Sequence, residues 1–169
     1  TDRSKRAEGT GDLMRYLDTL ETPLGTLHIE ATESGLRSIR FPSRAHQREP
    51  SSGNSRVIVR AKRELCAYFA GGLTTFSVPL DWQGTRFQES VWQALLAVPH
   101  GETVTYGDIA VAIGRPRSSR PVGGAVGKNP LPVIVPCHRV IGSDHGLTGF
   151  TGGLDIKIRL LELEGHIIS

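Results

Sequence analysis

Two capping boxes constrain this fold more than any other feature of the chain. Thr85 stands three residues ahead of Gln88, and Thr105 stands three ahead of Asp108. In such a pair the hydroxyl accepts a backbone N–H one turn on, while the second side chain reaches back, satisfying donors that a helix start leaves orphaned. Phe87, Val91, Leu95 and Leu96 follow the first box along one predicted helical face. The second box opens a helix from Tyr106 to Ile113, stopped by Gly114, and Arg115-Pro116-Arg117 makes a short turn. Ser118 or Ser119 then caps a third helix to about Lys128, with Pro121 tolerated in its first turn. Two short helices across such a turn are the pattern of a helix-turn-helix.

The chain before Thr85 reads differently. Residues 1–12 are polar and glycine-containing and read as a flexible tail. Partial alternation over Leu13–Leu20 and Thr26–Ala31, joined at Thr22-Pro23-Leu24-Gly25, predicts a hairpin, with a third strand at Leu36–Phe41. The polar stretch Ser43–Ser55 reads as a loop. Ile58, Ala61, Leu65, Tyr68 and Phe69 keep helical spacing up to Gly71-Gly72, and Cys66 beside that stripe reads as packing. Phe76–Leu80 reads as one more strand. Near the end, Leu154, Ile158 and Leu161 predict an amphipathic helix closing at about Gly165. The expected class is α/β (α+β). A small mixed sheet-and-helix domain over 13–82 precedes a helical domain over 85–169, with the boundary at Trp82–Gly84.

A chain of 169 residues with 38% hydrophobic content can bury a core for one sizeable domain or two small ones. Its net charge is only +3, but the distribution is uneven. Ile109 to Ser143 holds no acidic residue, yet Arg115, Arg117, Arg120, Lys128 and Arg139 fall there. That is the footprint of a polyanion-binding face, or of a solvated basic surface. No apolar run approaches the ~20 residues of a membrane span, and no leader pattern opens the chain. Two cysteines make no disulfide framework, so the expected setting is reducing, cytoplasmic, or nuclear in a eukaryote. Cys137 and His138 lack partners at zinc spacing, so neither metal nor cofactor is expected.

Pro136-Cys137-His138-Arg139-Val140 carries the chemistry. It follows Val133-Ile134-Val135, which reads as a buried strand ended by the proline. A cysteine held on shielded backbone beside a histidine is a candidate nucleophile. Taken alone it is as easily an inert core thiol.

Gly123, Gly124 and Gly127 make the third helix unusually slim, each costing ~1 kcal/mol of helix stability relative to alanine. An ordinary helix is ~10–12 Å across with side chains, and the minor groove of B-DNA is only ~6 Å wide. A glycine-stripped helix suits a widened minor groove; close helix–helix packing also selects small residues. A phosphate-binding loop does not fit, because Asn129 follows Gly127-Lys128 where serine or threonine is needed.

Together these segments resemble one family. Pro136-Cys137-His138-Arg139-Val140 is similar to the active-site motif of the O6-alkylguanine–DNA alkyltransferases. Arg120-Pro121-Val122-Gly123-Gly124-Ala125 through Asn129-Pro130 resembles their recognition helix and hinge. Thr105-Tyr106-Gly107 resembles the start of their helix-turn-helix, and Leu163-Glu164-Gly165 their terminal helix. The motifs run in order from about Thr85, with a weaker match before it, clearest at Tyr68-Phe69-Ala70-Gly71.

The resemblance implies roles residue by residue. Cys137 matches the alkyl acceptor, His138 the base that takes its proton through a water, and Glu164 the carboxylate orienting that histidine. The water fits an extended backbone, where neighbouring side chains diverge. Arg120 matches the finger filling the duplex gap, and Tyr106 the tyrosine beside the flipped nucleotide. Gly123, Gly124 and Lys128 match the DNA face, and Asn129 matches the hinge. Tyr106, Val140, Phe150 and Thr151 match the pocket, within a wall that includes Gly149 to Gly153. The implied partner is double-stranded DNA carrying O6-alkylguanine, with O4-alkylthymine a further candidate, bound by a monomer that could load cooperatively. A His138–Glu164 relay is expected to raise the thiolate fraction of Cys137. Phe150 departs from the family's usual tyrosine, and Pro121 from its usual alanine. Two other classes stay open: a relative that binds alkylated bases without transfer, and a helix-turn-helix regulator with a redox cysteine.

Overall fold

The computed structural model describes residues 14–42, 55–144, 146–147, 150 and 152–166. The expected tail over 1–12, most of the polar loop before Ser55, and Leu13, Gly149 and Thr151 lie outside the described residues.

Gly25, at φ 99°, turns the chain between β1 (Tyr16–Thr22) and β2 (Gly25–Ala31), and β3 (Leu36–Arg40) completes an antiparallel meander in the order β1-β2-β3. Alternation buries Leu27, Ile29 and Ala31 on one face. Helix α1 (Arg56–Phe69) starts where the Ser55 hydroxyl accepts the Ile58 N–H. It lays Ile58, Ala61, Leu65 and Tyr68 on that core, and Gly71 at φ 82° ends it. Cys66, expected to pack, is exposed on the outer side of α1. Phe76–Leu80 is not a strand. Leu80 makes one isolated bridge to Leu36, and Glu64 on α1 takes the N–H groups of Ser77 and Val78 instead.

The second half is built around its caps. Helix α2 (Arg86–Leu96) and helix α3 (Tyr106–Ala112) both begin with reciprocal boxes, Thr85–Gln88 and Thr105–Asp108. Ser118 precedes α4 (Ser119–Gly127) but makes no side-chain cap bond. On α2 the buried residues are Val91, Trp92 and Leu95, while Leu96 is exposed. Trp92 donates its indole N–H to the Ala125 carbonyl at 2.9 Å, fixing α2 to α4. Gly84 passes so close to the Trp92 ring that a Cβ there would sit 2.5 Å from it. On α5 (Leu154–Leu163) the buried face is Lys157, Leu160 and Leu161; Leu154 is exposed and Ile158 only partly covered, so the expected stripe is rotated.

Leu131 to Val135 does not form the expected strand. The Val135 N–H returns to the Leu131 carbonyl at 2.8 Å, and Val133 takes φ 76°, a left-handed conformation rare for a β-branched residue. Fully buried surroundings impose it. The strand comes after the motif. Val140–Ile141 (β5) pairs in parallel with Val104–Thr105 (β4), Val104 opposite Val140, which ties the entrance of α3 to the exit of the cysteine segment.

The two halves share one core. The Ile39 N–H donates to the Pro130 carbonyl at 2.9 Å, and the Phe41 and Phe150 rings meet edge to face at 5.9 Å.

Candidate functional site

Cys137-His138-Arg139 forms a single 3-10 turn after Pro136, with the Arg139 N–H on the Pro136 carbonyl at 3.0 Å. The extended-backbone reading of these neighbours is therefore corrected. A 3-10 turn rotates successive side chains by about 120°, not to opposite faces. Cys137 is 3% exposed and His138 fully buried.

Glu164, the C-cap of α5, organises the turn. Its Oε2 accepts from His138 Nε2 at 2.6 Å and from the Tyr68 hydroxyl at 2.5 Å. Arg139 grips it with two bonds, Nε to Oε1 at 2.7 Å and Nη2 to Oε2 at 3.0 Å, and reaches the Val98 carbonyl through Nη1 at 2.6 Å. Burial alone would raise the Glu164 carboxyl. The bonds from His138 and Arg139 instead hold it well below the ordinary carboxylate range. An ionised Glu164 makes Nε2 the protonated nitrogen of His138 and leaves the Nδ1 lone pair as the basic site. Nδ1 is buried with no protein partner. Burial also lowers the His138 pKa, with Glu164 opposing, which favours the neutral ring.

Burial pushes the Cys137 thiol up to about 11; the Asn129 amide and the Lys157 ammonium pull the other way without overcoming it. This corrects the expectation of an enriched thiolate. Burial thus favours the protonated thiol at neutral pH.

Asn129 braces the segment through bonds to the Val135 carbonyl and the Leu131 N–H. Lys157, 1% exposed, donates to the Val140 carbonyl at 2.7 Å and lies near enough to Cys137 to influence its charge.

The other residues that the resemblance singled out lie on α3 and α4. Tyr106 opens α3 half-buried, and a Cβ on Gly123 would come within 3.8 Å of its ring. A Cβ on Gly124 or Gly127 would meet nothing within 4 Å. Close helix packing therefore does not explain these glycines; the buried side of α4 is Val122, Ala125 and Val126. Arg120 and Lys128 are exposed at its two ends, and Arg115 and Arg117 in the preceding turn. Arg139 does not join them. It is buried on Glu164 and leaves the expected basic face.

Val140 is buried and Phe150 half-buried, but Thr151 lies outside the described residues. A cavity of about 260 Å³ opens beside the turn, lined by Phe76, Leu96, His100, Pro136 and Arg139 among others, and does not reach Cys137.

Sequence reasoning missed Tyr68, Arg139 and Lys157 as members of the centre. For Lys157 a signal existed: it stands three and four residues before Leu160 and Leu161, on the face they bury. Among the described residues no cluster of three or more His, Cys, Asp or Glu could hold a metal ion, and no helix is long and apolar enough to cross a membrane.

Two short helices across a basic turn, in one core with a buried cysteine–histidine–carboxylate cluster, are the arrangement of a helix-turn-helix DNA-binding protein. Residues 86–166 match the family model described as 6-O-methylguanine DNA methyltransferase, DNA binding domain, and residues 15–82 match that family's ribonuclease-like domain. A methylated-DNA–protein-cysteine methyltransferase of Methanosarcina barkeri is 47% identical over 152 residues, covering 88% of this chain and 96% of the relative. One from Mycobacterium tuberculosis is 47% identical over 157 residues, covering 89% and 93%. The crystal structure of Mycobacterium tuberculosis O6-methylguanine methyltransferase superposes with a TM-score of 0.80 at 45% identity, covering 89% of this chain and 93% of that one. That of the same organism's OGT in complex with DNA gives 0.79 at 46%, covering 86% and 90%. The chain belongs to the 6-O-methylguanine DNA methyltransferase family.

Proposed function

We propose that this protein repairs DNA by moving an alkyl group from O6 of guanine to the Cys137 sulfur, one group per molecule, with O4-alkylthymine a secondary substrate. The Sγ–carbon bond forms as the carbon–O6 bond breaks, and the electron pair of that bond stays with guanine. The thiol proton passes through a water to His138 Nδ1, and guanine takes up a proton to finish as the normal base. A thioether has no good leaving group, so the product cannot turn over.

One observation supports this most. His138 is held by Glu164 through Nε2, with Nδ1 buried and unpartnered, on the same turn as a buried thiol. An inert core cysteine needs no such neighbour. A thiol kept protonated until a substrate arrives also resists stray oxidation, since the thiolate is the reactive form. That disfavours a redox regulator.

In this reading Arg120 enters the duplex where the nucleotide leaves and Tyr106 flanks that nucleotide. Gly123, Gly124 and Lys128 meet the minor groove and its phosphates. Val140, Phe150 and Thr151 wall the pocket. Phe150 brings no hydroxyl and packs on Phe41 instead, leaving backbone amides to serve the leaving oxygen. Residues 13–82 form one unit and 85–169 the other, acting as a monomer in the compartment that holds the DNA. Sedimentation with and without duplex tests the monomer and any cooperative loading.

The deciding experiment is intact mass after incubation with duplex carrying O6-methylguanine. The parent protein gains one methyl group, mapped to Cys137, and Cys137→Ala gains none while still binding the duplex. Binding without mass gain in the parent would favour a non-transferring relative, and methylation elsewhere would remove Cys137 as the acceptor.

A further inference from the structure

Alkyl transfer as set out above gives Tyr68 no task, yet its hydroxyl sits at the centre. Tyr68 is 1% exposed near the end of α1, in the N-terminal half. Its ring packs against Phe69, Phe76 and His100, which would need no hydroxyl. The hydroxyl nevertheless donates to Glu164 Oε2, the same oxygen that accepts from His138 Nε2 and Arg139 Nη2. Burial, and then the bond to Glu164, push its ionisation far above the ordinary tyrosine value, so it remains a donor wherever the protein is folded.

We propose that Tyr68 is a positioning residue for alkyl transfer: its bond to Oε2 holds the Glu164 carboxylate and limits how much of that negative charge His138 feels. This rests on the alkyl-transfer reading and adds to it that the N-terminal half contributes to the base. The groups facing His138 are Glu164 and Lys157 from α5, Arg139 and Cys137 from its own turn, and, through Glu164, Tyr68 from α1. Among the charged ones only Glu164 favours an imidazolium; Arg139 and Lys157 oppose it. A donor on Oε2 draws off part of that attraction and keeps His138 neutral, the form able to accept the thiol proton. Without it, His138 protonates at higher pH and less base is ready near neutrality.

Two substitutions of opposite sense test this. Tyr68→Phe keeps the ring and removes the donor. Site-specific 3-fluorotyrosine at position 68 keeps the shape and strengthens the donor. The rate of transfer from free O6-benzylguanine is followed against pH, and the His138 ring titration is read by nitrogen NMR without substrate. In Tyr68→Phe the acidic limb and the His138 midpoint rise by about half to one pH unit, and with 3-fluorotyrosine both fall. The plateau rate changes by less than about threefold. If both proteins keep the parent midpoints and only melt earlier or later, Tyr68 merely packs and the proposal is overturned. A parent that transfers no alkyl group sinks the alkyl-transfer reading, while the NMR midpoints still decide what Tyr68 does to His138. Should Tyr68→Phe fail to fold, the fluorotyrosine protein decides alone.

Discussion

Asn129 holds both ends of the turn that leads to the nucleophile: its Nδ2 donates to the Val135 carbonyl at 2.8 Å and its Oδ1 accepts the Leu131 N–H at 2.9 Å. Both backbone groups belong to buried residues, so truncation strands a donor and an acceptor away from water. Asn129→Ala is expected to cost about 2–4 kcal/mol in denaturant unfolding and to slow alkyl transfer at least about tenfold. Asn129→Asp, which keeps the acceptor and loses the donor, falls between. Unchanged stability in Asn129→Ala would remove the bracing role.

Cys137 makes stability fall on the alkaline side. Its folded value of about 11 lies above the ordinary 9.0. Below pH 9 folded and unfolded chains both keep the proton and stability is unaffected. Between 9 and 11 only the unfolded chain releases it, so stability declines as pH rises, by about 2–3 kcal/mol in all. Tyr68 adds a loss in the same direction that begins near its ordinary value of 10.0 and so overlaps the upper part of this window. The S-methylated protein therefore serves as the reference: urea unfolding at pH 8, 9, 10 and 11 should show a shallower decline once Cys137 cannot ionise.

Gly124 separates fold from binding. Its Cβ position is open, so Gly124→Ala should raise stability by about 0.5–1 kcal/mol through the helix alone. In the proposed docking the same methyl group stands on the side offered to DNA, and duplex affinity should drop several-fold, further in Gly124→Leu. A rise in melting temperature with unaltered affinity would move the DNA contact off this side of α4.

Salt dependence should report three phosphate contacts. With Arg139 withdrawn into the core and Arg120 proposed to fill the duplex gap, Arg115, Arg117 and Lys128 remain, giving a log–log slope of about −3. Arg117→Ala should lower its magnitude by about 1. Arg139→Gln should leave the slope and cost stability instead, because it uncouples a buried carboxylate.

Arg120→Ala should slow transfer from duplex far more than transfer from the free alkylated base, which is already outside any stack. Tyr106→Phe should show the same asymmetry more mildly. Equal losses on both substrates would assign Arg120 to the pocket or the fold.

What could be seen in the sequence was local. Both capping boxes, the hairpin at Gly25 and the glycine stop at Gly71 follow from residues within one turn of each other, and all appear in the structure. The cysteine motif also pointed to His138, and the family resemblance of Leu163-Glu164-Gly165 supplied Glu164 as its partner. Hidden were relationships that only tertiary packing makes. Tyr68 and Glu164 lie 96 residues apart, and nothing near either announces the other. Arg139 looked like a DNA contact because its charge is visible in the sequence and its burial is not. Val133 defeats propensity outright: an apolar β-branched run reads as a strand, and packing forces a left-handed turn at a residue that disfavours it.

The bare side of α4 has a consequence for how damage is found. Letters in DNA are told apart by side-chain donors, acceptors and methyl contacts aimed at base edges. Where Gly124 and Gly127 stand, the protein offers only main chain. With this side on the duplex, as proposed above, such a surface has nothing with which to spell a binding site, and every stretch of intact duplex should be met alike. On the proposed alkyl-transfer reading, discrimination is postponed to the moment a base leaves the stack and is offered to the sulfur, and there the chemistry of the lesion, not its address in the genome, decides the outcome.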